Sequence, residues 1–196
     1  MKLHGDIKLS RSVNLKEVKH YSEFKDDLRK DFQYRCGYCS KLEKLTTTGF
    51  EIDHFVPQHI DETKTKDYNN LVYSCFTCNR KKGGKWPTKD SSIHHDEFKG
   101  FIDPVSEELD QHLGRKESGE IEYYSELGKY LANDVFKFNI RPVKIIWKLG
   151  RLIESKKKLS NLIVEKQTCN PEEGLLLAKF CTEIDNLTNY IFEKRE

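Results

Sequence analysis

Two Cys-x-x-Cys pairs, Cys36 with Cys39 and Cys75 with Cys78, constrain this chain more than any other feature. Four thiolates on two such turns make a closed tetrahedral set that suits zinc and leaves no open position for water, so the ion they hold is expected to be structural. Everything between the pairs must loop out and return to one point. Six cysteines in all, four of them in this spacing, also fit a reducing compartment, where thiols bind metal and do not pair as disulfides. Cys169 and Cys181 are left over and read as small apolar fillers on helices.

The stretch between the pairs carries chemistry. Residues 50–56 have strand composition and place Asp53 beside His54, and the strand should stop at Pro57, which cannot donate to a sheet ladder. Residues 58–69 read as a long polar loop without periodicity, closed by Asn70, whose side-chain amide can hold it; loops of this kind inside compact modules tend to be functional or tied by their ends. The second Cys pair opens a short helix over residues 76–83, with Asn79 on its first turn and Gly83-Gly84 as a C-terminal stop. Arg80, Lys81, Lys82, Lys85 and Lys89 then form a basic run free of acids.

Taken together, Asp53-His54, Asn70-Leu71-Val72 and Cys78-Asn79-Arg80-Lys81-Lys82-Gly83, framed by the four cysteines, resemble the HNH (ββα-metal) endonuclease superfamily in its cysteine-framed variant. The signature positions fall on His54, Asn70 and Asn79. The third is Asn here where many members carry His, which supplies a neutral oxygen ligand. The resemblance covers residues 35–87. A looser likeness, through Trp86-Pro87, Asp103-Pro104 and Phe138-Asn139-Ile140-Arg141-Pro142, is to HNH proteins of bacterial phage-defence operons, Septu-like and retron-associated ones among them, in which an ATPase often accompanies the nuclease.

What the resemblance implies is specific. His54 is the general base, a role imidazole suits because it can accept a proton near neutral pH. Asp53 and Asn79 bind one Mg2+ or Mn2+ through oxygen, the ligand type hard cations prefer. Asn70 orients the catalytic histidine and tightens its loop. Lys82 matches a basic position beside the scissile phosphate in some members, and Arg80, Lys81 and Lys85 add phosphate contacts that position nucleic acid without reading its sequence.

The rest of the chain looks like support. Residues 15–32 carry Val18, Tyr21, Leu28 and Phe32 at three- and four-residue steps or their multiples, with Phe24 off by one, which predicts an amphipathic packing helix. Residues 98–121 read as loop and short strands. His94, His95 and His112 have no third partner at ligand spacing and read as solvated. From Leu127 the pattern turns helical, breaks near Arg141-Pro142, and resumes with a stripe through Ile145, Leu149, Leu152, Leu159 and Ile163. A last helix has Asn170 as cap, Pro171 at its first position and Glu172 and Glu173 in its first turn, and it should pair with the preceding helix as a hairpin.

The expected architecture is therefore α+β. A treble-clef-like ββα-metal nuclease module with a four-cysteine zinc spans residues 34–122, after an N-terminal helical segment at 1–33 and before a C-terminal helical region at 123–196. The net charge of +2 gives no global signal for nucleic acid, and what bears on it is where the charge sits. The first ten residues lack an apolar core of signal-peptide length, and no window approaches the ~18 apolar residues that span a bilayer. A cytoplasmic protein without membrane contact is expected.

Three readings compete. The first is a metal-dependent DNA endonuclease acting against foreign DNA, its helical tail docking a partner or a second copy. The second is a non-catalytic zinc module that binds nucleic acid. The third is a nuclease silent until a partner such as an ATPase releases it; no Walker-type phosphate loop is present in the sequence, so ATP dependence would come from another chain.

Overall fold

The computed structural model describes residues 1–13 and 17–193. The chain divides into two compact units, Met1–Arg141 and Pro142–Glu196. Leu15, the expected start of the N-terminal helix, lies outside the described residues.

The N-terminal helical element is shorter than expected. A 3-10 turn, Tyr21–Phe24, is opened by a capping box in which Glu23 accepts from the His20 amide at 2.8 Å, and it leads into α1, Lys25–Asp31. The buried stripe is Phe24, Leu28 and Phe32, spaced four apart, so the residue that broke the expected pattern belongs to the packing face and Val18 and Tyr21 do not. The helix stops where Gln33 and Tyr34 both take positive φ.

β1 (Glu51–His54) and β2 (Leu71–Ser74) form an antiparallel ribbon in which Asp53 pairs with Val72 and His54 with Leu71. All four residues of β2 are buried. α2 (Phe76–Lys82) follows directly and ends at Gly83. Residues 58–70 are not a plain loop: two 3-10 turns, Glu62–Lys66 and Tyr68–Asn70, are capped by Asp61 and Asp67, each accepting from the amide two residues on.

Residues 98–121 include one helical turn as well as strands. α3 (Leu109–His112) runs into β3 (Leu113–Arg115), which pairs antiparallel with β4 (Ile121–Tyr123). α4 (Glu126–Lys129), capped by Ser125, widens into a π-type turn, Tyr130–Val135. These elements and a 3-10 turn at Phe138–Ile140 lie in the first unit, so residues 123–141 group with the strands and not, as expected, with the C-terminal helices. The physical reason is burial: Leu127, Leu131, Val135, Phe136 and Phe138 are core residues, with Phe136 stacked 4.8 Å from Tyr38.

Two buried arginines tie distant segments together. Arg115 donates to the carbonyls of Leu3 (3.1 Å), Gly119 (2.7 Å) and Cys39 (3.0 Å), joining the N-terminal segment, the β3–β4 turn and the first Cys pair. Arg11 makes a two-pronged ion pair with Asp103 at 2.8 and 3.0 Å and donates to the Leu71 carbonyl.

The second unit is a helical hairpin of α5 (Val143–Lys166) and α6 (Pro171–Glu193). Asn170 Oδ1 accepts from the Glu173 amide at 2.8 Å and Glu173 Oε2 accepts from the Asn170 amide, which completes the expected cap. Leu177, Phe180, Cys181, Ile184, Leu187 and Ile191 are all half-buried along one stripe of α6. Cys169 is exposed in the link between the helices, not an apolar filler within one, because the helix before it has already ended at Lys166.

Candidate active site

The four paired cysteines come together. Each offers a sulfur, all four are buried, and the ligand atoms lie within 4.8 Å of one another. The first turn closes with the Ser40 amide on the Cys36 carbonyl and the Cys36 amide on the Lys41 carbonyl, both at 2.9 Å, with Ser40 at φ +60°. Gly37 is required there: a Cβ would sit 2.8 Å from the Phe32 ring and 2.9 Å from Val72. Burial pushes the Cys36 and Cys78 thiols up, and a cation among the sulfurs reverses that, because a coordinating thiol is deprotonated outright. The Arg141 guanidinium lies 3.4 and 3.5 Å from Cys78 Sγ and offsets the excess negative charge of a four-thiolate centre. The donor set and its dry surroundings fit structural zinc.

This cluster fixes the start of α2 against the β1–β2 ribbon, and residues of β1 then face α2 in pairs. Alternation puts Glu51 and Asp53 on one side of the strand. Asn79 Nδ2 donates to Glu51 Oε2 at 2.6 Å, which leaves Asn79 Oδ1 free to accept. Three residues along the helix, Lys82 Nζ sits 3.2 Å from Asp53 Oδ2 and 3.3 Å from Oδ1, and donates to the His54 carbonyl at 2.7 Å. The Tyr38 hydroxyl donates to Asp53 as well. Burial pushes the Asp53 carboxyl up, against the pull of Lys82 and Tyr38, and burial pushes Lys82 down.

His54 points the other way, half-buried. Its Nε2 lies 3.0 Å from the Thr65 carbonyl, and Tyr21 meets its ring edge-on at 4.6 Å. A carbonyl can only accept, so we assign the proton to Nε2 on this contact, which is shorter than the 3.4 Å from the Gln58 amide nitrogen to the same atom, and that leaves Nδ1 as the basic nitrogen. Burial pushes the imidazole below its ordinary value. Asn70 sets this arrangement from behind. Its Oδ1 accepts from the Val56 amide at 2.8 Å, and its Nδ2 donates to the carbonyls of Val56 (3.0 Å) and Lys64 (3.2 Å), the residue before Thr65. Asn70 thus fastens the backbone whose carbonyl holds His54.

Asp53, His54, Asn70 and Asn79 therefore gather around β1 and α2, with Asp53 nearly enclosed at 6% exposure. The basic residues separate. Arg80, Lys81 and Lys85 lie on the surface of α2 and just beyond it, Arg80 standing 3.6 Å from Glu51. Lys82, expected among them as a phosphate contact, has no exposed surface; it counters the buried Asp53 carboxylate and braces the His54 backbone. That burial is what corrects the expectation. Glu51, Tyr38, Thr65 and Arg141 lie outside the motif positions and belong to the site as well. Glu51 had a signal in its two-residue offset from Asp53, whereas the Thr65 contact is made by backbone and has none. His94 packs edge-on to Phe55 at 5.1 Å and to Trp86 at 5.7 Å.

Glu51 and Asn79 bring oxygen donors of the kind a hard divalent cation takes onto facing surfaces of β1 and α2, while both oxygens of the neighbouring Asp53 are engaged by Lys82 and Tyr38.

Comparison with known proteins agrees with the geometry. Residues 36–85 match the family model described as HNH endonuclease. The chain is also similar to the Septu protein PtuB of Bacillus mycoides (strain KBAB4), 29% identical over a stretch that covers 53% of this chain and 43% of that protein. The chain thus spans less than half the length of that relative. No solved structure matches it. Among the described residues, no helix is long and apolar enough to cross a membrane.

Proposed function

We propose that this chain is a metal-dependent endonuclease that hydrolyses phosphodiester bonds in DNA and serves bacterial defence against foreign DNA. The observation that carries it is His54, oriented by the Thr65 carbonyl with Nδ1 left basic, beside a set of oxygen donors within the segment that matches the HNH family. The defence role draws on the likeness to the Septu protein.

In this reading His54 Nδ1 takes the proton from the attacking water. Asp53 and Asn79, with Glu51 beside them, hold Mg2+ or Mn2+. When bound, the ion neutralises charge on the scissile phosphate and stabilises the leaving oxygen. Asn70 keeps His54 in register through the loop it clamps, and Arg80, Lys81 and Lys85 meet backbone phosphates. The four cysteines hold structural Zn2+ that fixes α2 against the ribbon.

A second reading, a nuclease silent until a partner such as an ATPase or a second copy engages it, has one observation in its favour. Both oxygens of Asp53 are already engaged by Lys82 and Tyr38. Release of that carboxylate would be the activating step.

The test is cleavage of supercoiled plasmid with Mg2+ or Mn2+, beside EDTA and the His54→Ala variant. Metal-dependent nicking or linearisation that the variant loses supports the nuclease. Salt-sensitive DNA binding without cleavage, unchanged by a copurifying partner, would leave a zinc-stabilised binding module in its place.

A further inference from the structure

Tyr21 stands off the buried stripe of Phe24, Leu28 and Phe32, yet its side chain is half-buried. What its ring meets is the imidazole of His54, with centroids 4.6 Å apart and planes at 74°. We infer that Tyr21, supplied by the N-terminal segment from outside the residues 36–85 that match the nuclease family, is a positioning residue that aims the ring of His54; this role rests on the nuclease reading above.

The need for such a residue follows from how the imidazole is tethered. Its own side chain holds it at Cγ, and the Thr65 carbonyl holds it at Nε2, 3.0 Å away. Two points leave the ring able to roll about the line between them, and that roll sets where Nδ1 points. Gln58 is exposed and lies 3.4 Å from the same Nε2, so it does not restrain the rest of the ring. Tyr21 does. Aromatic pairs at this separation favour the edge-to-face arrangement seen here, and rolling the imidazole would break it.

Tyr21 is itself held on both sides in sequence. The His20 ring stacks on it at 4.6 Å with 30° between the planes, and His20 also caps the 3-10 turn that Tyr21 opens. At the end of that turn Phe24 packs edge-on to Tyr68 at 5.0 Å, and the Tyr68 hydroxyl donates to Asp31 Oδ2 at 2.7 Å, the last residue of α1. Tyr68 begins the turn that finishes at Asn70. The N-terminal segment is thus fastened to the same stretch, residues 58–70, whose Thr65 carbonyl holds His54. Two elements tied to each other grip one imidazole from different directions.

The experiment compares wild type with Tyr21→Ala, Tyr21→Leu and Tyr21→Phe as whole chains supplied with Zn2+, thermal melting reporting that each is folded. Nuclear magnetic resonance reads the His54 ring protons, assigned by their loss in His54→Ala. A cross-relaxation peak to the residue-21 ring is expected in wild type and Tyr21→Phe, and a shift of the His54 signals in Tyr21→Ala and Tyr21→Leu as the ring current disappears. Plasmid cleavage with Mg2+ or Mn2+ reads the consequence. A misaimed base should lower kcat about 10- to 100-fold in Tyr21→Ala and Tyr21→Leu with KM within about twofold, and Tyr21→Phe should restore most of the rate. If wild type cuts and Tyr21→Ala cuts equally fast, or if Tyr21→Phe shares the whole loss, the role of Tyr21 is overturned and the nuclease reading stands. A wild type that keeps the cross-relaxation peak and cuts nothing overturns the nuclease reading, and the role with it.

Discussion

The Lys82 ammonium stands 3.2 Å from the Asp53 carboxylate with almost no water reaching either group. Burial drives each toward its neutral form, and Tyr38 and the His54 carbonyl supply the hydrogen bonds that let both stay charged. Lys82→Met leaves a buried carboxylate without its partner, at a cost of about 3–5 kcal/mol. Calorimetry should show a large drop in Tm for that variant, a partial recovery on adding Asp53→Asn, and almost no change for the half-buried neighbour Lys81→Met.

The proposed cleavage should tolerate mild acid. Burial holds His54 below its ordinary 6.5, with the Thr65 carbonyl and Asp53 opposing, so the neutral base persists below that pH. The rate should fall only as pH drops through the lowered value. Folding linkage has the same sign: the neutral imidazole's contribution is complete above 6.5 and is lost as pH falls through the folded-state value. His54→Ala should remove at least about 100-fold of the cleavage rate and abolish this acid limb, read in a pH–rate profile.

Asn70→Ala removes three bonds at once and leaves the Val56 amide buried without a partner. The expected loss of stability is about 1–3 kcal/mol. Because the Lys64–Thr65 backbone loosens with it, kcat should fall while DNA affinity measured by fluorescence anisotropy stays within about twofold. Equal losses in affinity and kcat would count against Asn70 acting through His54.

The proposed pairing of structural zinc with a catalytic Mg2+ or Mn2+ implies two rescues. Ejecting zinc with a thiol-directed mercurial should collapse the near-UV circular dichroism of the first unit, whose Trp86, Tyr38 and Tyr73 are buried, and Zn2+ after thiol reduction should restore it while Mg2+ should not. Removing only weakly held ions with EDTA should stop cleavage and leave that spectrum intact, with Mg2+ or Mn2+ restoring turnover.

Much of this candidate site is legible in the sequence. The cysteine spacing, the Asp53-His54 pair, the Gly83 stop and the Asn170 cap are local signals whose physics operates over a few residues. The α5–α6 hairpin is periodic enough to read as well. What escaped were pairings across long separations: Lys82 with Asp53, Asn79 with Glu51, Arg141 with Cys78, and Glu108 with His95. The N-terminal stripe misled because three apolar residues spaced by four are enough to bury a face, and the helix needed only those. Lys82 was grouped with its basic neighbours by position in sequence, whereas one turn of α2 separates solvent from core.

That separation divides the basic run by how it responds to ions in solution. Charges on the surface are screened over a Debye length of about 8 Å at physiological ionic strength, while an enclosed pair is hardly screened at all. In the proposed reading, Arg80, Lys81 and Lys85 are the cations of this run whose hold on a polyanion should weaken as salt rises. Lys82 keeps its grip on Asp53 in brine and in dilute buffer alike, so the preorganisation of the centre and the capture of the proposed substrate should answer to different properties of the medium.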